Sequence, residues 1–167
     1  MEKIRESNKS INNYFIYNTL FGDIILASDG EAIIFLLFKH TPAVPCDNRA
    51  SPLTDLAAMQ LEEYFSGKRL TFDLPLRPHG TAFQLSVWDA LLAIPYGETR
   101  SYKEIAQAVG NPNACRAVGL ANNRNPISIF IPCHRVIGSD GSLTGYGGGL
   151  EMKKRLLMLE QSIMNSS

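Results

Sequence analysis

SYKEIAQAVGNPNACRAVGLA, residues 101–121, is the stretch on which the reading of this chain turns. Ser101 followed three residues later by Glu104 is a capping box, in which each side chain answers the other's backbone N–H at a helix start. Ile105, Ala106 and Val109 continue on one face, and Gly110 ends the helix. Asn111-Pro112 opens a second short helix, predicted over Ala114–Ala121 and rich in small residues. Two short helices joined by a tight glycine-containing turn make a helix-turn-helix pattern. An ordinary packing hairpin has the same pattern, and both readings stand at this point.

Outward toward the N-terminus, Thr81 caps a helix carrying Phe83, Val87, Trp88, Leu91 and Leu92, which ends at Pro95-Tyr96-Gly97. Pro75 and Pro78 mark a linker over 75–80 and divide the chain into 1–76 and 77–167. The first part reads as strands near 14–20, 23–28 and 32–38, with Asp29-Gly30 as a hairpin turn. A loop rich in proline and polar residues follows at 40–51. Ser51-Pro52 then caps a helix through Leu53, Leu56, Ala57, Leu61, Tyr64 and Phe65, stopped by Gly67. Leu70–Leu74 is predicted as a short strand returning to the sheet. Outward toward the C-terminus, Ile127–Ile131 is a strand-like apolar run. A hairpin or loop forms at Asp140-Gly141, and a last helix is expected from Leu150 to Ser162. The fold class is α+β: a small antiparallel sheet with a helix, then a mainly helical domain.

Composition limits the function. Of 167 residues, 45% are hydrophobic and 19% charged, which suits a packed core rather than a disordered chain. No apolar run reaches the roughly 20 residues needed to span a bilayer. The N-terminal MEKIRESNKS lacks the apolar stretch of a signal peptide, so a soluble cytoplasmic protein is expected. Cys46, Cys115 and Cys133 form no CxxC pair, which argues against a disulfide framework or structural zinc and leaves a lone reactive thiol in play. His40 and Cys46 lie close in sequence, but two ligands do not make a metal site. The net charge of zero argues against a strong polyanion binder in bulk. The distribution says more. Between Glu104 and Asp140 there is no acidic residue, while Arg116, Arg124 and Arg135 fall there. Such a stretch suits a phosphate backbone, although three cations can also fall together by chance.

Cys133-His134 is the sharpest chemical feature. A thiol becomes a good nucleophile on ionising, and an imidazole can take its proton. On an extended strand the two side chains would point to opposite faces, so a turn, favoured here by Pro132, or a bridging water is required. A hydrolase nucleophile, an alkyl acceptor and an incidental pair are all compatible with this dipeptide alone.

Its surroundings narrow the choice. Asn125-Pro126-Ile127 and Ile131-Pro132-Cys133-His134-Arg135-Val136-Ile137-Gly138 resemble the active-site signature of the O6-alkylguanine-DNA alkyltransferases. The likeness begins at Phe83-Gln84-Leu85-Ser86-Val87-Trp88 and passes through Ile94-Pro95-Tyr96-Gly97-Glu98-Thr99, Ser101-Tyr102, Asn111-Pro112 and Arg116-Ala117-Val118-Gly119. It then runs through Thr144-Gly145-Tyr146 and Gly148-Gly149 to Leu156-Leu157 and Glu160, with order and spacing kept. The N-terminal part shows only the strand-then-helix pattern that fits the family's variable domain.

The resemblance implies an RNase H-like N-terminal domain and a winged-helix-like C-terminal domain. The implied activity is a single-turnover transfer of an alkyl group from O6-alkylguanine, or O4-alkylthymine, in double-stranded DNA to Cys133. No cofactor and no metal are implied, and the protein is expected to act as a monomer. His134 would be the base, through a water, with Glu160 orienting it and Asn125 pinning the turn. Tyr102 would give a proton or hydrogen bond to N3 of the departing guanine. Tyr146 would wall the alkyl pocket, and backbone groups near Cys133, Val136 and Gly147 would read the flipped base. Arg116 would take the place of the extruded nucleotide. The helix bearing Ala117, Gly119, Asn122 and Asn123 would lie in the minor groove, with Arg135 adding a further DNA contact. Departures from the family pattern are Asn123 in place of a loop glycine, which an asparagine at positive φ would accommodate, and Gly147 in place of Ser or Ala, which would widen the pocket mouth. Cys115 reads as a small packing residue. A non-enzymatic lesion sensor or transcription factor, for which Cys133→Ser would be silent, and a Cys-His hydrolase are the competing readings.

Overall fold

The computed structural model describes residues 11–38 and 47–166. The chain divides into two compact units between His79 and Gly80. In the first unit, β1 (Asn13–Thr19), β2 (Gly22–Ser28) and β3 (Ile33–Phe38) form an antiparallel meander, and a two-residue β4 (Asp47–Asn48) adds to β1 in parallel. The sheet order is β3-β2-β1-β4. The β1–β2 turn closes at Gly22, whose φ of 100° suits glycine. At the β2–β3 turn Asp29 Oδ1 accepts from the Glu31 and Ala32 amides, an Asx turn where Asp29-Gly30 was read as a hairpin signal.

Ile24 to Ser28 of β2 are all buried, so both faces of the central strand are covered. Tyr14, Ile25, Ala27, Ile34 and Phe35 form one cluster. Helix α1 (Pro52–Phe65) packs on the sheet and buries Ala57, Ala58, Leu61, Tyr64 and Phe65. Its start is the expected Ser51-Pro52 cap, with a reciprocal Ser51–Thr54 box.

Leu70–Leu74 is not a strand. Buried Gln60 of α1 donates to the Asp73 carbonyl at 3.0 Å and accepts from the Asp73 amide at 2.9 Å, which ties this backbone to the helix. The chain returns to the sheet a little later: the Ile33 amide donates to the Pro75 carbonyl and the Arg77 amide to the Ile33 carbonyl. His40 and Cys46 lie outside the described residues.

In the second unit, α2 (Ala82–Leu92) and α3 (Tyr102–Ala108) each begin with a capping box, Thr81–Gln84 and Ser101–Glu104. Helix α4 runs Cys115–Asn123, where Ala114–Ala121 is expected, and its N-cap Ala114 offers no side-chain acceptor. Trp88 of α2, buried, donates to the Ala121 carbonyl of α4 at 2.9 Å. Gly80 lies against the Trp88 ring so closely that a Cβ there would fall 2.6 Å from it. The helix-turn-helix is thus α3 and α4, held from behind by α2. Strands β5 (Arg100–Ser101) and β6 (Val136–Ile137) form a short parallel pair, and α5 (Leu150–Ser166) is longer than expected.

Ile127–Ile131 is not a strand either. It is a tight turn in which the Ile131 amide reaches back to the Ile127 carbonyl at 3.0 Å. Ile129, at φ 70°, is the one non-glycine residue with positive φ among the described residues. A β-branched residue there is strained and persists only where its surroundings hold it. Asparagine 123 needs no such conformation: it ends α4 in helical geometry, so the expected compensation for a missing glycine does not arise there.

Candidate active site

Cys133, His134 and Arg135 form one 3-10 turn between the Ile129 turn and β6. Successive side chains on such a turn diverge by about 120°, not the 180° of a strand, so the turn foreseen from Pro132 is present. Asn125 pins its approach: the side chain donates to the Ile131 carbonyl at 2.8 Å and accepts from the Ile127 amide at 3.0 Å. Asn122 fixes the turn from α4, its Nδ2 donating to the Cys133 carbonyl at 3.3 Å. Cys133 is 2% exposed, and His134 and Glu160 are fully enclosed.

Glu160 of α5 receives the buried polar groups of this turn. His134 Nε2 lies 2.8 Å from Glu160 Oε1. Arg135 donates to the same carboxylate from Nε and Nη2 at 2.9–3.2 Å, and from Nη1 to the Ile94 carbonyl at 2.7 Å. The Gly97 amide donates to Glu160 Oε2 at 3.0 Å. Burial alone would raise the Glu160 carboxyl; the His134 and Arg135 partners outweigh it and bring it down to about 2. Burial also pushes the His134 imidazole below its ordinary value, against the pull of Glu160. An ionised carboxylate only accepts, so the neutral imidazole carries its proton on Nε2 and keeps its basic lone pair on Nδ1.

Tyr102, first residue of α3, donates from its hydroxyl to the Thr144 carbonyl at 3.0 Å. Tyr146 is buried, and burial first and the nearby Cys133 charge second raise its phenol, which therefore stays neutral. The Val136 amide donates to the Cys133 carbonyl, and the Val136 carbonyl accepts from Lys153 while keeping a second lone pair. A Cβ on Gly147 would meet the Asn123 carbonyl at 3.8 Å, an ordinary contact. Hydrogen bonds thus tie Asn125 and Cys133 to the Ile131 carbonyl and Val136 to Cys133, while a separate set joins His134 to Glu160, and the Cys133 charge reaches Tyr146.

The residues expected on DNA divide into two groups. Arg116, Ala117 and Asn123 are exposed on α4, and Gly119 is half-buried, its α-carbon facing the Tyr102 ring. Arg135 and Asn122 are corrected. Arg135 is 7% exposed with its guanidinium spent on Glu160 and Ile94, and Asn122 is 2% exposed with its amide on Cys133. Both support the reactive turn from within and present nothing to a phosphate. Cys115 is half-buried with its thiol directed at the Pro112 carbonyl.

Lys153 was not singled out from the sequence. It is fully buried, and its ammonium donates to the Val136 and Thr144 carbonyls at 2.5 and 2.7 Å. One hint existed: Lys153 stands seven residues before Glu160, two turns away on the same helical face.

Fold and site define a two-unit protein in which a buried cysteine–histidine–glutamate array shares a unit with a helix-turn-helix. Residues 82–162 match the DNA-binding domain of 6-O-methylguanine DNA methyltransferase, and residues 12–78 match the ribonuclease-like domain of the same family. The chain is 56% identical over 153 residues to the methylated-DNA–protein-cysteine methyltransferase of Methanosarcina barkeri, covering 89% of this chain and 97% of that protein. It is 62% identical over 145 residues to the protein of the same name from Mycobacterium leprae, covering 84% and 87%. The crystal structure of Mycobacterium tuberculosis OGT in complex with DNA superposes with a TM-score of 0.85 at 47% identity, over 90% of this chain and 94% of that one. The chain belongs to the 6-O-methylguanine DNA methyltransferase family.

Proposed function

We propose that this protein repairs alkylated DNA by moving the alkyl group from O6 of guanine onto the sulfur of Cys133, once per molecule. The observation that carries this reading is the buried His134–Glu160 pair beside Cys133, a neutral base whose proton position is set by an ionised carboxylate. His134 takes the thiol proton through a water. The thiolate attacks the alkyl carbon in line, the S–C bond forms, and the C–O6 bond breaks with its electron pair passing to guanine. Tyr102 turns its hydroxyl from the Thr144 carbonyl to N3 of the base and gives it the phenolic proton, so that guanine leaves neutral and the phenolate regains a proton from solvent. The thioether has no route back, which makes the protein a reagent consumed by its own reaction.

A thiol with 2% exposure cannot reach O6 inside a base stack, so the nucleotide is turned out of the duplex into the site. Arg116 on the first turn of α4 fills the gap left behind. The α4 N-terminus lacks a side-chain cap, and its amides favour a neighbouring phosphate. Ala117, Gly119 and Asn123 line the helix face that enters the minor groove. Tyr146 walls the alkyl group, backbone groups at Cys133, Val136 and Gly147 read the base, and Gly147 leaves room for alkyl groups larger than methyl. The protein acts as a cytoplasmic monomer on double-stranded DNA carrying O6-alkylguanine. Among the described residues no helix is long and apolar enough to cross a membrane.

Counting lesions restored to guanine per protein molecule tests the reading. The expected limit is one lesion per chain, and none for Cys133→Ser. Multiple turnovers, or repair by Cys133→Ser, would overturn it.

A further inference from the structure

Lys153 combines complete burial with the absence, among the described residues, of any carboxylate in ion-pair contact. An ammonium taken out of water without an anion is costly, and a hydrophobic side chain would normally fill such a position more stably. Two carbonyls hold the ammonium, those of Val136, three residues after Cys133, and Thr144, which also accepts the Tyr102 hydroxyl. It also lies 5.9 Å over the Tyr102 ring. The titratable groups that act on it are Cys133 on the 3-10 turn, His134 beside it and Tyr102 on α3, while Tyr146 in the loop before α5 faces the same Cys133 charge.

We propose that Lys153 is a positioning residue for alkyl transfer: its ammonium, fixed on the Val136 and Thr144 carbonyls, is the standing counter-charge for the Cys133 thiolate and holds the Thr144 carbonyl on which Tyr102 rests. The thiolate is the anion the buried cation otherwise lacks. Burial lowers the Lys153 amine to about 8, and the Cys133 charge opposes that fall, so each group favours the charged form of the other. On α5 the two buried residues stand two turns apart, about 10 Å along the helix axis, Lys153 serving the sulfur and Glu160 the imidazole. One helix face therefore supplies both a cation for the nucleophile and an anion for its base. When Tyr102 turns to the base, the Thr144 carbonyl keeps Lys153 as its donor, so the loop that carries it stays tied to α5 while the phenol is released.

The inference rests on Cys133 being the acceptor, but its test needs no DNA. The pH dependence of Cys133 reaction with iodoacetamide, followed by mass of the peptide that carries it, is measured for the unmodified protein, Lys153→Met and Lys153→Arg. In Lys153→Met the midpoint rises by about one pH unit or more, a roughly tenfold slower reaction at pH 7; Lys153→Arg keeps most of the unmodified rate. An unchanged midpoint in folded Lys153→Met, or an Arg variant as slow as the Met variant with both folded, overturns the proposal. A second measurement uses the unmodified sequence labelled with 15N-lysine. The Lys153 amine titration moves to lower pH once Cys133 is alkylated and its charge removed, and no movement overturns the proposal whatever the variants do. A protein that passes both but leaves O6-methylguanine in DNA untouched would instead count against the proposed function.

Discussion

Glu160 meets three demands with one carboxylate: it orients His134, neutralises Arg135 and closes on the Gly97 amide. Its own position depends on Gly97, which has φ 76° and comes so close to Met164 that a Cβ would fall 2.5 Å from that side chain. Glu160→Gln removes the anion while Arg135 stays buried, a change that costs about 3–5 kcal/mol when a buried pair loses one partner. Chemical denaturation of the variant should show a loss of that order, with alkyl transfer slowed at least a hundredfold; a stable, active variant would remove Glu160 from the site. Because its carboxyl falls from 4.5 to about 2 on folding, the stabilisation is complete above about pH 5 and drains away as pH falls toward 2. Between pH 5 and 3 this one group should account for about 2 kcal/mol of lost stability. Glu160→Gln should show a correspondingly flatter acid limb in urea titrations. His134, buried and neutral, adds in the same direction as pH drops below its ordinary 6.5. On the acid side the rate of transfer should therefore hold through neutrality and decline below 6.5.

Among the elements, the turn from Asn125 to Ile131 carries the most consequence. Its strain at Ile129 is held by the two Asn125 hydrogen bonds and by burial of Ile127, Ile129 and Ile131. Asn125→Ala should cost about 2–3 kcal/mol, since two buried backbone groups lose their partners. It should also slow transfer, by moving the 3-10 turn, more than Ser101→Ala does at its helix cap. Loss of that cap should cost about 1 kcal/mol. Equal effects on rate would mean that Asn125 matters only for stability. On α4, Arg116→Ala should leave thermal stability unchanged and weaken transfer from DNA tenfold or more. Reaction of Cys133 with iodoacetamide should not change, and if it did Arg116 would belong to the chemistry rather than to the groove.

These elements also show what could be read without coordinates. The caps at Ser51, Thr81 and Ser101, the β1–β3 strands and the helix-turn-helix are local matters of spacing, and each lies within a residue or two of its expected bounds, although only the Ser101–Glu104 cap was foreseen as a reciprocal box. The two strands that failed, Leu70–Leu74 and Ile127–Ile131, are apolar runs whose backbone is claimed from elsewhere, by Gln60 in one case and Asn125 in the other. Periodicity does not report such side-chain to backbone ties. Arg135 was misplaced for a related reason: an arginine in an acid-free stretch looks solvent-facing until Glu160, 25 residues on, is folded against it. Lys153 was missed because lysines are rarely buried, and its seven-residue spacing from Glu160 on one helical face was the one sign against that.

At the scale of the whole molecule, zero net charge conceals a division. Residues 77–167 carry 9 Lys+Arg against 6 Asp+Glu, and residues 1–76 carry 7 against 10. With Arg135 withdrawn into the core, Arg116 and Arg124 are the cations of the acid-free stretch that remain on the surface. A contact set of about two to four phosphates should weaken DNA binding roughly ten- to hundredfold between 50 and 200 mM salt. Fluorescence anisotropy on undamaged duplex measures this directly, and a much steeper slope would show that cations outside α4 dominate. The central claim, that Cys133 is the acceptor, is tested most directly by mass analysis of the protein after incubation with one equivalent of duplex containing O6-methylguanine. The peptide bearing Cys133 should gain about 14 Da, one methylene, in a single stoichiometric step, with Cys46 and Cys115 unchanged. No gain at Cys133, or a gain at another cysteine, would contradict the account.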